Sequence, residues 1–297
     1  MKLTTSFKST FDRHPVELLF TVVLALMYVP TIVHWYDGWI NKNISLEHEY
    51  FSHGIIGLPF AAYIIWTQRH QWQKLDDRFN PLGAILVGLG GVLYLSQMSD
   101  FVNLSFPIIL AGLCLGLKGR PGFQLMAFPW LLVFLATPTD IPYLVAPFSL
   151  PIQSFIAGTA GFILTQWGLE VEVQEIFLLV GGRVVEVAPH CAGFKMLFTT
   201  LYVSLMLLYW TGALKSRKTT VVFLFCAVII SVVTNILRNT FLTLFHGTGR
   251  DALFHWMHEG WGGDFVSALM LLALVPTLMA IERLRDALSG TGTTESV

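Results

Sequence analysis

Cys191 has the surroundings of a reactive nucleophile. It lies within residues 187–195, where a short acidic polar segment gives way to a long apolar run. The thiol follows a proline at the expected start of a helix, and Lys195 comes one helical turn later, so both the helix dipole and a cation favour the thiolate. Cys114 and Cys226 lie inside apolar runs, where a thiol is usually an inert packing residue. The alternative is that Cys191 is a packing residue as well.

A second candidate functional residue, Arg238, lies near the end of a later apolar run. Arg238 is preceded one turn earlier by Asn235, which places two polar groups on the same face of a helix. An arginine at this depth is often an interfacial anchor whose stem lies along apolar surface. An ionisable residue within a membrane segment is nevertheless a candidate for function. Its several donors are suited to stabilising a developing oxyanion.

Histidines and carboxylates make up a third group, at residues 255–264. His255 and His258 are three residues apart, and Glu259 and Asp264 follow them. The order does not match the zinc-protease patterns His-Glu-x-x-His or His-x-x-Glu-His. One histidine acting as a general acid or base beside a thiol is the simpler interpretation, and a metal site formed by these four residues is the alternative.

The composition is that of an integral membrane protein. Hydrophobic residues make up 54% of the chain and charged residues only 12%, compared with about 25% charged residues in soluble domains. A span needs about 20 apolar residues. Apolar segments of roughly suitable length cover residues 16–36, 51–67, 81–98, 101–117, 123–137, 144–165, 192–211, 220–241 and 263–281. We expect the first to remain as a helix, because no clear signal-peptide cleavage site follows it.

The distribution of positive charge predicts the topology. Thirteen of the 18 lysine and arginine residues fall in five segments that can all face the cytoplasm. These segments are residues 2–13, 69–78, 118–120, 215–218 and 283–285. The segments between them, such as residues 37–50, lean acidic and are expected to face outward.

Residues 144–165 break this alternation, because a full crossing would reverse every later loop. The segment contains two prolines and two glycines, and we interpret it as re-entrant or interfacial. This leaves about eight transmembrane helices with both termini inside. Cys191, Arg238 and the stretch 246–263 then converge at the outer face. As the only cysteine there, Cys191 cannot form an intrachain disulfide.

Residues 168–187 have the alternation of a β-hairpin, with Gly181-Gly182 as a two-residue turn. We expect a short external hairpin leading directly to Cys191, and for the hairpin itself a surface cap without chemistry is the favoured interpretation. The predicted fold is therefore an all-α polytopic membrane protein with this small hairpin. A single domain is expected over residues 1–288, followed by a disordered tail at 289–297.

Four short stretches occur in order along the chain. The first is Tyr50-Phe51-Ser52-His53-Gly54 after Glu49, followed by Leu58-Pro59. The second is the glycine-containing helix, the hairpin and Cys191-Ala192-Gly193; the third is Asn235-Ile236-Leu237-Arg238; the fourth is His258-Glu259 with Gly262. Together they resemble the exosortases and archaeosortases, which are polytopic membrane cysteine transpeptidases. The likeness covers about residues 45–281.

This resemblance implies a sorting enzyme. Family members recognise a carboxy-terminal signal on secreted proteins: a short motif often containing Pro-Glu-Pro, a transmembrane helix and a basic tail. By the resemblance, Cys191 is the nucleophile, Arg238 the stabilising cation and His258 the proton-transfer group. Two departures matter. Ala192 stands where serine is common, and His255 and His190 are rivals for the role of catalytic histidine.

The expected reaction proceeds through a thioester at the outer face of the cytoplasmic membrane, and an amine or hydroxyl acceptor resolves it. The expected partners are such secreted proteins and membrane lipid; we expect no nucleic acid and no cofactor. Three alternatives stay open. They are a cysteine protease that releases its product to water, a metal-dependent membrane hydrolase using the residues of the histidine stretch, and a non-catalytic transporter or scaffold.

Overall fold

The computed structural model describes residues 15–40, 50–140, 144, 146–188, 193–258 and 260–290. This part of the chain contains nine α-helices, two short 3₁₀ turns and one small sheet. The helices are α1 Pro15–Ile40, α2 Gly54–Lys74, α3 Pro81–Leu95, α4 Ser99–Ala136, α5 Ser149–Gln166, α6 Phe194–Thr211, α7 Arg217–Gly247, α8 Asp251–His258 and α9 Trp261–Gly290. The strands are β1 Val171–Gln174, β2 Phe177–Val180 and β3 Arg183–Glu186. The predicted all-α polytopic membrane fold is confirmed.

Five of these helices are long and apolar enough to cross a membrane: α1, over Leu19–Ile40, and α4, α6, α7 and α9. The shorter α3 is apolar as well. Helix α5, which covers most of the segment predicted to be re-entrant or interfacial, is not among the five. The number of crossings and their orientation stay predictions.

The chain forms two compact units. The first comprises Met1–Ile55 and Pro59–Thr139, and the second comprises Ile56–Leu58 and Asp140–Val297. The prediction of a single domain over residues 1–288 stays a prediction. Helix α9 continues to Gly290, so the expected tail begins with the end of this helix, and residues 291–297 lie outside the described residues.

In the first unit, α4 consists of two arms. The helical geometry is broken at Gly119, whose φ of 64° and ψ of −156° lie outside the helical region. The arms fold back on each other, since the Trp130 indole nitrogen donates to the carbonyl oxygen of Pro107 at 2.8 Å. Beside the break, the buried Lys118 ammonium donates to Asp77 at 2.6 Å and to the Leu75 carbonyl at 2.9 Å. The two separate runs predicted at 101–117 and 123–137 are therefore confirmed as these arms.

In the second unit, α7 is the central helix, and α5, α6, α8, α9 and the sheet all pack against it. Its first half is apolar: Phe223 and Ala227 are buried in a cluster with residues of α6 and α9, including Leu208 and Leu274. Further along, Ile236 joins a second cluster. That cluster contains Ile156, Ala157 and Ala160 of α5, Leu178 of β2 and Val187, which follows β3. The helix thus links two apolar clusters at different points along its length.

The sheet is a three-stranded antiparallel meander in the order β1-β2-β3. Val180 pairs with Arg183 across the turn, so Gly181 and Gly182 form a two-residue loop. Their φ angles of 58° and 75° match the turn that best fits the twist of a hairpin. The predicted hairpin and turn are confirmed. The alternation over residues 168–187 predicts a hairpin of two strands. The structure has a third strand, β1, which that prediction did not include.

Candidate functional site

The segments that carry or adjoin the predicted site residues lie at one end of the second unit. Helix α6 begins there, α7 ends there, and α8 and the start of α9 follow directly on α7. The β2–β3 turn lies at the same end, because a Cβ atom at Gly181 would overlap the carbonyl oxygen of Gly247 at the end of α7. The geometry of this end can be built from four contacts.

The first contact joins the start of α6 to α7. Gly193 precedes α6 with a φ of 85°, in the left-handed region that favours glycine. A Cβ atom at this position would lie 2.6 Å from Nδ2 of Asn235 and 2.7 Å from its Cγ. The chain two residues after Cys191 is therefore pressed against the Asn235 amide, and only glycine fits.

The second contact lies within α7. The Asn239 amide nitrogen donates to the Asn235 carbonyl at 2.9 Å and to its side-chain Oδ1 at 3.3 Å. Both amides are buried, at 4% and 2% exposure. The sequence interpretation included Asn235 but missed Asn239. A signal was present, because buried Ser231, Asn235, Asn239 and Thr243 recur every four residues inside an apolar run.

The third contact joins α7 to the start of α9. The Arg238 side chain is half-buried, and a Cβ atom at Gly263 would lie 3.7 Å from its Nη2 and 4.0 Å from its Nε. Gly263 belongs to the first turn of α9, five residues after His258. The arginine that the sequence places near the end of an apolar run is thus covered by the segment that follows the histidine stretch.

The two histidines of α8 differ in their surroundings. His258 is half-buried, and its ring stacks on Phe254 with centroids 5.2 Å apart and an interplanar angle of 9°. His255 is exposed and meets the same phenyl ring edge-on, at 5.6 Å and 76°. An aromatic stack fixes the plane of the His258 ring, which suits a group that must transfer a proton in a defined direction.

The fourth contact fixes the segment that follows β3. The Gln153 amide nitrogen of α5 donates to the carbonyl oxygen of Val187 at 2.6 Å, and the Val187 backbone nitrogen donates to Ile176 at 2.9 Å. Gln153 is 2% exposed. Sequence analysis missed Gln153, since a single glutamine in an apolar helix carries no pattern of its own.

An ion pair fastens the sheet to the same end. Arg183 of β3 donates to the Asp251 carboxylate at 2.6 Å and to the His246 carbonyl at 3.3 Å. Asp251 opens α8. The sheet therefore connects the chain leading to Cys191 with the helix that carries His258.

Several predicted site residues lie outside the described residues. They are Cys191, its neighbours His190 and Ala192, and Glu259. Lys195 is half-buried in the first turn of α6. The structure thus brings Gly193 to Asn235 and Gly263 to Arg238, and it leaves the position of the thiol undescribed. Among the residues it describes, no three histidine, cysteine, aspartate or glutamate side chains are grouped as metal ligands would be.

A cavity of about 180 Å³ lies beside the first contact. Gly193 and Asn235 form part of its lining, and apolar side chains of α5, α6 and α7 form most of the rest. Its volume is similar to that of an apolar cavity of ~150 Å³ that takes up benzene. An apolar group of that size has room next to the start of α6.

The early Tyr50-Phe51-Ser52-His53-Gly54 stretch belongs to the first unit. His53 is 5% exposed, and its Nε2 lies 3.0 Å from the carbonyl oxygen of Leu135, to which it donates. A Cβ atom at Gly54 would overlap the Trp39 ring. The close packing explains why this stretch needs a glycine.

The family model of the transmembrane exosortases matches residues 39–275, which is most of the chain. The chain therefore belongs to the transmembrane exosortase family. No curated protein and no solved structure matches it.

Proposed function

We propose that this transmembrane exosortase is a cysteine transpeptidase of the cytoplasmic membrane, with its active site on the extracytoplasmic face. Its substrates are secreted proteins that end in a short motif of the Pro-Glu-Pro type, an apolar helix and a basic tail. It cuts near the motif and transfers the new carboxyl end to an acceptor at the cell surface.

The reaction has two steps. The Cys191 thiolate attacks the scissile carbonyl, Arg238 stabilises the oxyanion, and His258 protonates the leaving amine as the carbon–nitrogen bond breaks. This leaves a thioester on Cys191. An amine or hydroxyl acceptor, deprotonated by the same histidine, then attacks the thioester and releases the thiol.

The observation that carries the proposal is the pair of glycine contacts on α7. Gly193, two residues after Cys191, lies against Asn235, and Gly263, five residues after His258, lies against the Arg238 guanidinium. Three chain segments far apart in sequence thus meet along one turn of one helix. Proximity of this kind is what a three-residue catalytic group requires.

The test uses a co-produced reporter protein with the motif, the apolar helix and the basic tail. We expect Cys191→Ala and Cys191→Ser to leave the reporter uncut, while the matched variants Cys114→Ala and Cys226→Ala process it nearly normally. Arg238→Lys keeps the charge but loses the planar array of donors, so it is expected to fail nearly as badly as Arg238→Ala. Processing that survives the loss of Cys191 overturns the cysteine mechanism.

The two histidines are separated in the same assay. We expect His258→Ala to reduce turnover on the order of 100-fold or more and His255→Ala to have a milder effect. Cys191→Ala combined with His258→Ala is expected to be no worse than Cys191→Ala alone, because the residues act as a unit. Inactive His255→Ala with active His258→Ala would reassign the histidine. Loss of processing on addition of a chelator, with Cys191→Ala active, would favour the metal-dependent alternative.

A further inference from the structure

A second cavity, of about 250 Å³, lies in the first unit between α2 and the two arms of α4. It is larger than an apolar cavity of ~150 Å³ that takes up benzene. We propose that this cavity binds one acidic phospholipid, whose acyl chain fills it while the phosphate group pairs with Arg69. The chemistry proposed for Cys191, Arg238 and His258 has no part in this binding.

The walls of the cavity suit a hydrocarbon chain. Ile65, Arg69 and Trp72 line it from α2, at the spacing of a single helical face. Apolar side chains from both arms of α4, together with Cys114, complete the lining. From Ile65 to Trp72 the helix rises by about 10 Å. Since one hydrocarbon leaflet is about 15 Å deep, an acyl chain can lie along the cavity through much of that depth.

The two ends of the cavity differ in their surroundings. The Trp72 end lies beside the turn between the arms of α4, because a Cβ atom at Gly122 would lie 3.1 Å from the Trp72 ring. The connection between α2 and α3 reaches the same turn, where Lys118 donates to the Leu75 carbonyl. Ile65 lies about two helical turns away from this polar end. The cavity therefore runs from a polar end into an apolar one, as a lipid does.

Arg69 supplies a cation at the lining of this cavity. The residue is half-buried, and its guanidinium carbon lies 4.2 Å from the centre of the Trp66 ring. Its Nη1 donates to the Trp66 carbonyl at 2.6 Å, which uses one of five N–H donors. Among the described residues, no carboxylate is paired with it. The planar donors of a guanidinium match phosphate oxygens, so a phosphate is the group that the remaining donors fit.

The charge around the polar end favours an acidic lipid over a neutral one. Residues 69–78 and 118–120 carry five lysine and arginine side chains and two aspartates. Both aspartates are paired with neighbouring cations. Basic pockets between transmembrane helices attract acidic lipid headgroups. The same charge repels a basic peptide, so the occupant is a lipid and not the basic tail of a secreted protein.

The headgroup contact is tested on the full chain, purified in a neutral detergent and stripped of lipid. Phosphatidylglycerol and phosphatidylcholine with identical acyl chains are added separately, and native mass spectrometry counts the lipids retained. We expect one phosphatidylglycerol to bind about 10-fold more tightly than phosphatidylcholine, because hydrogen bonds to charged groups are the stronger ones. Arg69→Gln is expected to abolish this preference. The matched control Arg78→Gln is expected to keep it, since the Arg78 side chain is 67% exposed and lies outside the cavity lining.

The acyl-chain contact is tested with two thiols. Cys114 and Cys226 are both half-buried in apolar helices, but only Cys114 lines this cavity. Added phosphatidylglycerol is expected to slow the alkylation of Cys114 by N-ethylmaleimide and to leave that of Cys226 unchanged, as followed by peptide mass spectrometry. Cys114→Leu, which fills part of the cavity, is expected to weaken lipid binding, and Cys226→Leu is expected to have no effect.

Three results overturn the proposal. They are equal binding of the two lipids by the parent protein, a preference that survives in Arg69→Gln, and alkylation of Cys114 that phosphatidylglycerol does not slow. Thermal unfolding separates a lipid from a free anion: if glycerol phosphate alone stabilises the protein as much as phosphatidylglycerol does, the cavity holds no acyl chain and the proposal is wrong. Should Arg69→Gln or Cys114→Leu fail to fold, the lipid comparison and the alkylation of the parent protein still decide.

Discussion

Replacing Gly193 with alanine tests the contact on which the candidate site is built. The backbone at Gly193 has a φ of 85°, where an L-residue is strained, and a Cβ atom there would lie 2.6 Å from Nδ2 of Asn235. Rotation of the Asn235 side chain away from this contact would break the hydrogen bond that Asn239 donates to its Oδ1 atom. The substitution therefore combines backbone strain with an overlap against a fixed neighbour.

The size of the effect follows from these two parts. A left-handed conformation costs an L-residue about 1–2 kcal/mol. Forcing an extra carbon into a packed site typically costs about 1–3 kcal/mol. We therefore expect Gly193→Ala to lower the free energy of unfolding by about 2–5 kcal/mol, if the two parts add.

Two other glycines of the same unit separate strain from overlap. Gly212 has a φ of 75°, but among the described residues no atom beyond its chain neighbours lies within 4 Å of a Cβ built there, so Gly212→Ala is expected to cost only the strain, about 1–2 kcal/mol. Gly158, inside α5, has no positive φ, and a Cβ there would meet no atom of another described segment within 4 Å. Gly158→Ala is expected to be neutral or to stabilise by up to ~1 kcal/mol, because alanine is the better helix former.

The three variants are compared by unfolding the purified protein in detergent, followed by tryptophan fluorescence and far-ultraviolet circular dichroism. The expected order of stability is Gly158→Ala, then Gly212→Ala, then Gly193→Ala. The reasoning is refuted if Gly193→Ala is no less stable than Gly212→Ala, since the overlap with Asn235 would then carry no energy.

Two further predictions concern other parts of the chain. The side chains of the Arg183–Asp251 pair are 41% and 50% exposed, so a double-mutant cycle should give a coupling below about 1 kcal/mol; a larger value would mean that the pair is more than a surface ion pair. An engineered cysteine at Ser216 should resist membrane-impermeant thiol reagents in intact cells while one at Ser45 is labelled, and the reverse pattern would invert the topology.

Much of the secondary structure could be predicted from local patterns. The Gly181-Gly182 turn was found because a two-residue glycine loop between alternating runs has few other solutions. The two arms of α4 were found as separate runs because Lys118 and Arg120 interrupt the apolar residues at the point where Gly119 breaks the helix. Both signals are local, so they can be recognised in the sequence without knowledge of the rest of the fold.

The contacts that build the candidate site could not be predicted in the same way. Nothing near Gln153 in sequence indicates that its amide reaches Val187, 34 residues later. The pairing of Gly193 with Asn235 is equally non-local. Asn239 was detectable in principle, since its spacing from Asn235 places both on one face of α7, but the sequence does not show that the two amides bond to each other.

Buried polar side chains of α7 find partners within the helix itself, since Asn239 donates to Asn235 and the Thr240 hydroxyl donates to the Ile236 carbonyl. The segments after Cys191 and after His258 approach this part of the helix at Gly193, which lies against the Asn235 amide, and at Gly263, which lies near the Arg238 guanidinium. A Cβ atom at Gly193 would overlap Asn235, whereas one at Gly263 would be in ordinary contact with Arg238. Packing and the proposed chemistry therefore place the same demand on Gly193, and a larger residue there is expected to weaken both.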